Sequence, residues 1–321
     1  MPERQWTKKD LIGIEGLSRD EVELILDTAP QFAAVSERGS GIKRVPLLQG
    51  RLVVNWFHEP STRTRTSFEL AAKRLSADSL GFAASTSSTV KGETLHDTLA
   101  NIEAMHSDII VLRHSCAGAP HILAATHRSH IVNAGDGRHE HPTQALLDAY
   151  TMRRYLRRRS GDETATLDGA KVTIVGDIEH SRVARSNILA LNLLGAKVTL
   201  CGPATLMPSN IERMGARVTY DLREALEGAD IIYALRMQLE RQSKALFPSL
   251  REYIRLFRVD NDSLRYAPED AIVMHPGPIN RDIELAADVA DGKRSVILEQ
   301  VSNGVAIRMA VMHLLVNGGR G

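Results

Sequence analysis

Cysteine is scarce in this sequence, because its 321 residues include only Cys116 and Cys201. Two cysteines cannot form a disulfide framework, and their spacing matches no metal-binding motif. We therefore expect a reducing, cytoplasmic environment in which both cysteines are small buried apolar residues. Long hydrophobic runs are also lacking, so we expect neither a signal peptide nor a segment that spans a membrane.

An excess of charge of one sign is lacking as well, because the formal net charge is +1. A balanced charge gives no global reason to expect binding to nucleic acid or to an anionic membrane. The densest basic stretch contains five arginines within 153–159. It ends a predicted helix, where cations interact favourably with the helix dipole, so a solvated helix end explains it better than nucleic acid does.

Several familiar catalytic motifs are absent. No Gly-x-Gly-x-x-Gly follows the strand that ends at Gly176, and there is no P-loop and no Gly-x-Ser-x-Gly elbow. His139 and His141 could be metal ligands, but no cysteine or carboxylate cluster accompanies them in the sequence. We therefore favour His141 as a hydrogen-bond donor, and we expect no metal and no cofactor.

The most informative stretch lies between a predicted strand over 51–57 and a helix that begins near Ser61. The start of a helix binds anions because its first N–H groups are unpaired and carry partial positive charge. Here four hydroxyls and two guanidiniums are added within 61–66. An ordinary helix cap, the alternative interpretation, needs only one Ser or Thr. The stretch therefore predicts a phosphate-binding turn.

The rest of the chain alternates between short β-forming runs and helical patterns. We predict further strands over 79–83, 108–112, 131–134, 170–175, 196–201, 217–220, 230–235 and 271–274. We predict helices over 19–37, 142–159, 183–194, 222–228 and 295–317, and a further helix that carries Leu95, Leu99, Ile102 and Met105 on one face. This alternation indicates the α/β class, with two doubly wound parallel-sheet domains. The polar stretch 160–168 separates a domain of 1–159, joined by the C-terminal helix 295–321, from a domain of 160–294.

The unusual polar clusters follow predicted strands, at 61–65, 113, 141–144, 182, 236–241 and 275–278. Open parallel sheets bind ligands outside the carboxyl ends of their strands, so we expect an active site in a cleft between the two domains. The basic side chains expected there are Arg63, Arg65, Lys91, Arg113, Arg182, Arg236 and Arg241. They predict a strongly anionic ligand, and a chemistry that stabilises an oxyanion and a leaving phosphate.

Together these motifs resemble the aspartate/ornithine carbamoyltransferase family. The matching segments are STRTRTSFE at 61–69, KGET at 91–94, HPTQ at 141–144 and HPGP at 275–278. They occur in the order of the family and span nearly the whole chain. The second and fourth segments, with Arg236-x-Gln238-x-x-Arg241, are similar to the aspartate branch. His58 is a departure, because the family usually has Phe or Tyr there.

The resemblance implies transfer of the carbamoyl group from carbamoyl phosphate to L-aspartate, an early step of pyrimidine synthesis. The implied ligands of the phosphate are Ser61, Thr62, Arg63 and Thr64. The implied donors to the carbonyl oxygen are Thr64, Arg113 and His141, while the carbamoyl amino group would be held by Gln144 and by the carbonyls near Pro276 and Gly277. The implied ligands of the aspartate carboxylates are Lys91, Arg182, Arg236 and Gln238.

The resemblance also implies a homotrimer with shared active sites, because Ser87 and Lys91 would reach into the site of a neighbouring subunit. Glu59 would pair with Arg182 or Arg241 when the domains close. Regulatory chains or a dihydroorotase remain open as further partners. Two alternatives also remain open, namely a carbamoyltransferase with another amino acceptor and a catalytically silent homologue that acts as a scaffold.

Overall fold

The structure, a computed structural model, describes residues 4–36, 41, 43–83, 93–238 and 249–318. The chain forms two compact units, of which unit 1 comprises Met1–Leu147 with Ser302–Gly321 and unit 2 comprises Asp148–Val301. Both divisions lie within long helices. Within the described ranges, none of the helices combines the length and the apolar character that crossing a membrane requires.

The described elements alternate as the sequence predicts. The strands are β1 Leu52–Phe57, β2 Asp78–Ala83, β3 Ile109–His114, β4 His130–Asp136, β5 Lys171–Val175, β6 Lys197–Cys201, β7 Arg217–Thr219, β8 Ile231–Ala234 and β9 Ile272–Met274. The helices are α1 Arg19–Thr28, α2 Pro30–Ser36, α3 Thr62–Arg74, α4 Leu95–Ala104, α5 Ala119–Thr126, α6 Pro142–Ser160, α7 Arg182–Leu193, α8 Leu222–Leu226, α9 Leu250–Phe257, α10 Ala287–Ala290 and α11 Ile297–Asn317.

Unit 1 is built on a parallel sheet with the strand order β2-β1-β3-β4. The central strand β1 is an almost continuous apolar run, as expected of a parallel strand that is covered on both faces. From β1 the chain proceeds first to one side of the sheet and then, through β3 and β4, to the other. The sheet is therefore doubly wound, and β1 and β3 flank the point at which the strand order reverses.

Helix α3 packs on this sheet through the residues whose spacing predicted it. Phe68, Ala71, Ala72 and Leu75 are all fully buried. The guanidinium of Arg308 from α11 lies over the Phe68 ring, 4.9 Å from the ring centroid, which is a cation–π distance. The start of α3 is thus supported by a well-packed helix.

Unit 2 repeats the plan with the order β7-β6-β5-β8-β9, again with parallel pairing throughout. Here β5 and β8 flank the reversal point. Residues of β5, β8 and β9, namely Val175, Ile232 and Val273, share one core with Tyr253 and Phe257 of α9. Two parallel-sheet α/β units are the fold class that the alternation predicted, so this prediction is confirmed.

Two local predictions are wrong. The region 19–37 is not one helix, because α1 ends before Ala29 and a new helix begins at Pro30. Proline has no N–H to continue the hydrogen bonding of α1, and its ring is best accommodated in a first helical turn. Cys116 is exposed, whereas Cys201 is buried as expected. Burial raises the pKa of the Cys201 thiol to about 12.

Candidate active site

The start of α3, in the turn after β1, lacks the side-chain hydrogen bond of an ordinary helix cap. Ser61 occupies the N-cap position with extended backbone, but its side chain makes no capping hydrogen bond. By contrast, the N-cap serines of α1, α7 and α9 each accept a bond from a backbone N–H: Ser18, Ser181 and Ser249. The capping interpretation therefore fails at Ser61, and its hydroxyl can serve a ligand at this helix start.

Arg113 is the penultimate residue of β3, the strand beside β1, and is oriented from both sides. Its Nε lies 3.2 Å from Oε2 of Glu59, and one guanidinium nitrogen donates to the carbonyl of Ala134 at 3.3 Å. The backbone N–H of His58 donates to the carbonyl of Arg113 at 2.8 Å. These contacts fix a guanidinium at the same sheet edge as the start of α3. Glu59 thus contacts Arg113, and its pairing with Arg182 or Arg241 stays a prediction.

His58 replaces the aromatic residue that the family usually has, and it packs as one. Its ring centroid lies 5.0 Å from that of Trp56 and 4.6 Å from that of His114. Burial and the nearby His114 lower the pKa of His58 to about 4, and burial also lowers the pKa of His114. Both rings are therefore neutral at pH 7, so they add no charge next to Arg113.

The turn after β4 holds His141 and Gln144 on a rigid support. His141 is buried, and its carbonyl accepts the N–H of Gln144 at 2.9 Å as α6 begins. The buried carboxylate of Asp136 accepts from the N–H groups of Gly118 at 2.7 Å and Glu140 at 3.1 Å. The sequence pattern did not single out Asp136 as a support, although a carboxylate at the end of a buried strand was the available signal.

A metal site that combines His139 with His141 is not what the described residues form. The His139 ring is grouped at ligand-like spacing with His121 and Asp136, and separately with Glu15 and Glu140. His141 belongs to neither group. Asp136 and Glu140 are also engaged with backbone N–H groups. The interpretation of His141 as a hydrogen-bond donor is therefore the better supported one.

In unit 2 the turn after β5 places Arg182 at the start of α7. Gly176 has φ +129°, and a Cβ there would lie 2.9 Å from the carbonyl oxygen of Leu235, so only glycine fits. His180 is held against the buried carboxylate of Asp177 at 2.8 Å. Arg182 is only 4% exposed, which excludes the alternative that it is a solvated surface charge.

The turns after β8 and β9 carry the remaining predicted residues of unit 2. Arg236 and Gln238 are half-buried, and Met237 between them is fully buried. In the next turn the N–H of Gly277 donates to Nδ1 of His275 at 2.8 Å. These turns follow adjacent strands, because β8 pairs with β9.

Sheet topology therefore brings the predicted residues together within each unit. The unit 1 set lies at the carboxyl ends of β1, β3 and β4 or in the turns that follow them, and comprises Ser61, Thr62, Arg63, Thr64, Arg113, His141 and Gln144. The unit 2 set follows β5, β8 and β9, and comprises Arg182, Arg236, Gln238, Pro276 and Gly277. The carboxyl ends of strands at a reversal point are where open α/β sheets bind ligands. Ser87, Lys91 and Arg241 lie outside the described residues.

Family models match almost the whole chain. Residues 9–154 match the model described as aspartate/ornithine carbamoyltransferase, carbamoyl-P binding domain. Residues 168–315 match the model described as aspartate/ornithine carbamoyltransferase, Asp/Orn binding domain.

Individual relatives belong to the same family as the matching family models. The chain is 55% identical over 311 residues to the aspartate carbamoyltransferase catalytic subunit of Syntrophus aciditrophicus, which covers 97% of this chain and 98% of the relative. An aspartate transcarbamoylase from Trypanosoma cruzi, solved with carbamoyl phosphate and aspartate, superposes with a TM-score of 0.84 at 31% identity, covering 97% of this chain and 98% of its own. An ornithine carbamoyltransferase from Thermus thermophilus reaches 0.83 at 26% identity, covering 97% and 100%. The backbone is thus shared by both acceptor classes.

Proposed function

We propose that this chain, which belongs to the aspartate/ornithine carbamoyltransferase family, transfers the carbamoyl group of carbamoyl phosphate to the amino group of L-aspartate. The products are N-carbamoyl-L-aspartate and phosphate. The reaction forms a C–N bond and breaks the C–O bond to the phosphate. This is an early step of pyrimidine synthesis.

The observation that carries the proposal is the start of α3. At the reversal point of the unit 1 sheet, a helix N-terminus presents Ser61, Thr62, Arg63 and Thr64, and the Ser61 hydroxyl is not used for capping. Backbone N–H groups, hydroxyls and a guanidinium are the donors that suit a phosphate dianion. We assign them to the phosphate of carbamoyl phosphate.

Catalysis in this proposal is electrostatic. When the amine attacks the carbonyl carbon, negative charge develops on the carbonyl oxygen, and Thr64, Arg113 and His141 donate to it. Gln144 and the carbonyls near Pro276 and Gly277 hold the carbamoyl amino group. The proton lost by the amine passes to the departing phosphate, so the step needs neither a covalent enzyme intermediate nor a metal.

The acceptor is assigned from the charge of the second unit. Arg182 and Arg236 are cations, and Gln238 adds an amide donor, which together suit the two carboxylates of aspartate. The side-chain ammonium of ornithine would instead require an acidic partner. The relatives at 52–55% identity carry the aspartate name, which supports the same acceptor.

The assembly is a homotrimer in which Ser87 and Lys91 complete the site of a neighbouring subunit. The support is the resemblance of 91–94 to the aspartate branch, and Lys91 would add a further cation for the substrates.

A reducing cytoplasm suits the buried Cys201, whose thiol is kept neutral by its raised pKa.

Phosphate release from carbamoyl phosphate, with L-aspartate and L-ornithine in parallel, tests the proposal. We expect release with aspartate alone. Arg236→Ala should raise the KM for aspartate by about tenfold or more, because one charge-assisted contact is lost. Arg255→Ala, an exposed arginine on α9, is the matched control and should behave as the wild type. Phosphate release with ornithine would contradict the assignment of aspartate as the acceptor. Release with neither amino acid would contradict the proposed carbamoyl transfer.

A further inference from the structure

Glu284 is a buried carboxylate that the proposed chemistry does not use. It lies beyond the turn that follows β9, and it is only 1% exposed. Burying an unpaired carboxylate costs several kcal/mol, so such a group persists only where donors surround it. The donors around Glu284 come from the two turns that carry proposed ligand residues of unit 2.

One set of donors fixes the turn after β9. Oε1 of Glu284 lies 3.3 Å from Nε2 of His275. Because Nδ1 of His275 accepts the N–H of Gly277 at 2.8 Å, the ring hydrogen is on Nε2, the ring nitrogen closer to the carboxylate. The N–H of His275 itself donates to the Gln300 side chain at 2.9 Å. The carbonyls near Pro276 and Gly277 therefore belong to a turn that is held at its first residue.

The second set fixes the turn after β8. The N–H of Met237 donates to Oε2 of Glu284 at 3.4 Å, and the carbonyl of Met237 accepts from the side chain of Asn280 at 3.1 Å. The N–H of Asn280 in turn donates to Glu284. Met237 is thus held at both of its backbone polar groups, while its neighbours Arg236 and Gln238 are the proposed acceptor ligands.

We propose that Glu284 is a positioning residue that locks the turns 236–238 and 275–277 into one arrangement, so that the first turn presents its side chains to the acceptor while the second presents its carbonyls to the carbamoyl amino group. This rests on the proposed function. The carboxylate does not itself bind the acceptor, because its two oxygens accept from the N–H groups of Met237 and Asn280. Fixing the supports of a binding group in advance lowers the cost of ordering it when the substrate binds.

Two variants test the proposal. Glu284→Gln keeps the size of the side chain but turns an NH₂ group towards at least one of the donors. Asn280→Ala removes only the side-chain bond to the Met237 carbonyl, so it remains informative if the first variant folds poorly. Glu269→Ala, an exposed glutamate of unit 2, is the control. The measurements are the KM for aspartate, the dissociation constant of carbamoyl phosphate, and hydrogen exchange of amides in 236–238 and 275–277.

We expect both test variants to raise the KM for aspartate by about tenfold or more and to speed exchange in the two turns. Carbamoyl phosphate affinity should stay within about twofold in Asn280→Ala, because that variant loses only the bond to the turn 236–238. It should fall by about threefold or more in Glu284→Gln, because that variant also loosens the carbonyls near Pro276 and Gly277. An unchanged KM for aspartate in both variants, or equal weakening of both substrates in Asn280→Ala, would overturn the proposal. If the wild type does not use aspartate, the proposed function fails separately. Hydrogen exchange still tests the positioning role in that case, because unchanged protection of the amides in the two turns of both variants excludes that role.

Discussion

Asp148 shows how strongly single buried charges organise this chain. Its carboxylate is fully buried and accepts hydrogen bonds from Asn187 at 3.0 Å, Tyr233 at 2.7 Å and Gln300 at 2.8 Å. Gln300 in turn holds the backbone of His275. One side chain of α6 therefore ties α7, β8 and α11 to the turn after β9. Replacing one partner would leave a buried polar group unsatisfied, which costs about 1–3 kcal/mol.

His58 should make stability depend on pH. Its pKa is about 4 in the folded chain against an ordinary value of 6.5, so between these values the unfolded chain binds a proton that the folded chain does not. The free energy of unfolding therefore falls as the pH falls through this window. We expect His58→Phe to lose less stability than the wild type between pH 7.5 and pH 4.5, measured by urea unfolding.

Part of the loss should persist in that variant, because the pKa of His114 is lowered in the same direction. The variant Glu93→Gln, outside this ring cluster, serves as a control for the general effect of acid. Parallel pH profiles of the wild type and His58→Phe would show that His58 does not contribute.

At the scale of elements, the two N-cap serines of unit 1 give a matched pair. Ser18 caps α1 and takes part in a capping box with Glu21, so Ser18→Ala should lower the free energy of unfolding by about 1 kcal/mol. Ser61 makes no capping bond, so Ser61→Ala should cost less than about 0.5 kcal/mol while weakening carbamoyl phosphate binding about tenfold. Urea unfolding and calorimetric titration measure the two effects. If Ser61→Ala lowers the free energy of unfolding as much as Ser18→Ala does and leaves carbamoyl phosphate affinity unchanged, Ser61 is an ordinary helix cap.

Elements were predictable where the sequence pattern is local. The strand predicted over 51–57 is observed as Leu52–Phe57, and the helix predicted over 142–159 is observed as Pro142–Ser160. Continuous β-forming runs and a proline at a first helical position are signals within a few residues of each other. Helices α5 and α9 were not predicted, because each is short and its apolar residues give no long periodic stretch.

At the scale of the whole molecule, the proposed trimer predicts complementation. If Lys91 completes a neighbour's site, Lys91→Ala and His141→Ala trimers should each be nearly inactive. Mixing, dissociating and reassembling them in equal amounts should restore activity in about a quarter of the sites, since each such site needs one particular neighbour. Turnover after reassembly is the measurement.

The control for this experiment mixes His141→Ala with Arg113→Ala. Both residues would act in the same subunit, so no reassembled site can be complete. Equal recovery of activity in the two mixtures, or no recovery with Lys91→Ala, would contradict shared sites.

The domain boundaries at 159/160 and 294/295 stay a prediction.

The sequence by itself determined the α/β class, the strands, the family and the residues that carry its motifs. These features depend on local patterns, because hydrogen bonding within helices and the run of apolar residues along a strand involve near neighbours. Only the tertiary structure decided the strand orders, the spare hydroxyl of Ser61, and the buried carboxylates of Asp148 and Glu284. The partners Asp148 and Tyr233 are 85 residues apart, and Glu284 and Met237 are 47 apart. Such contacts exist only after packing brings distant segments together, so no local pattern encodes them.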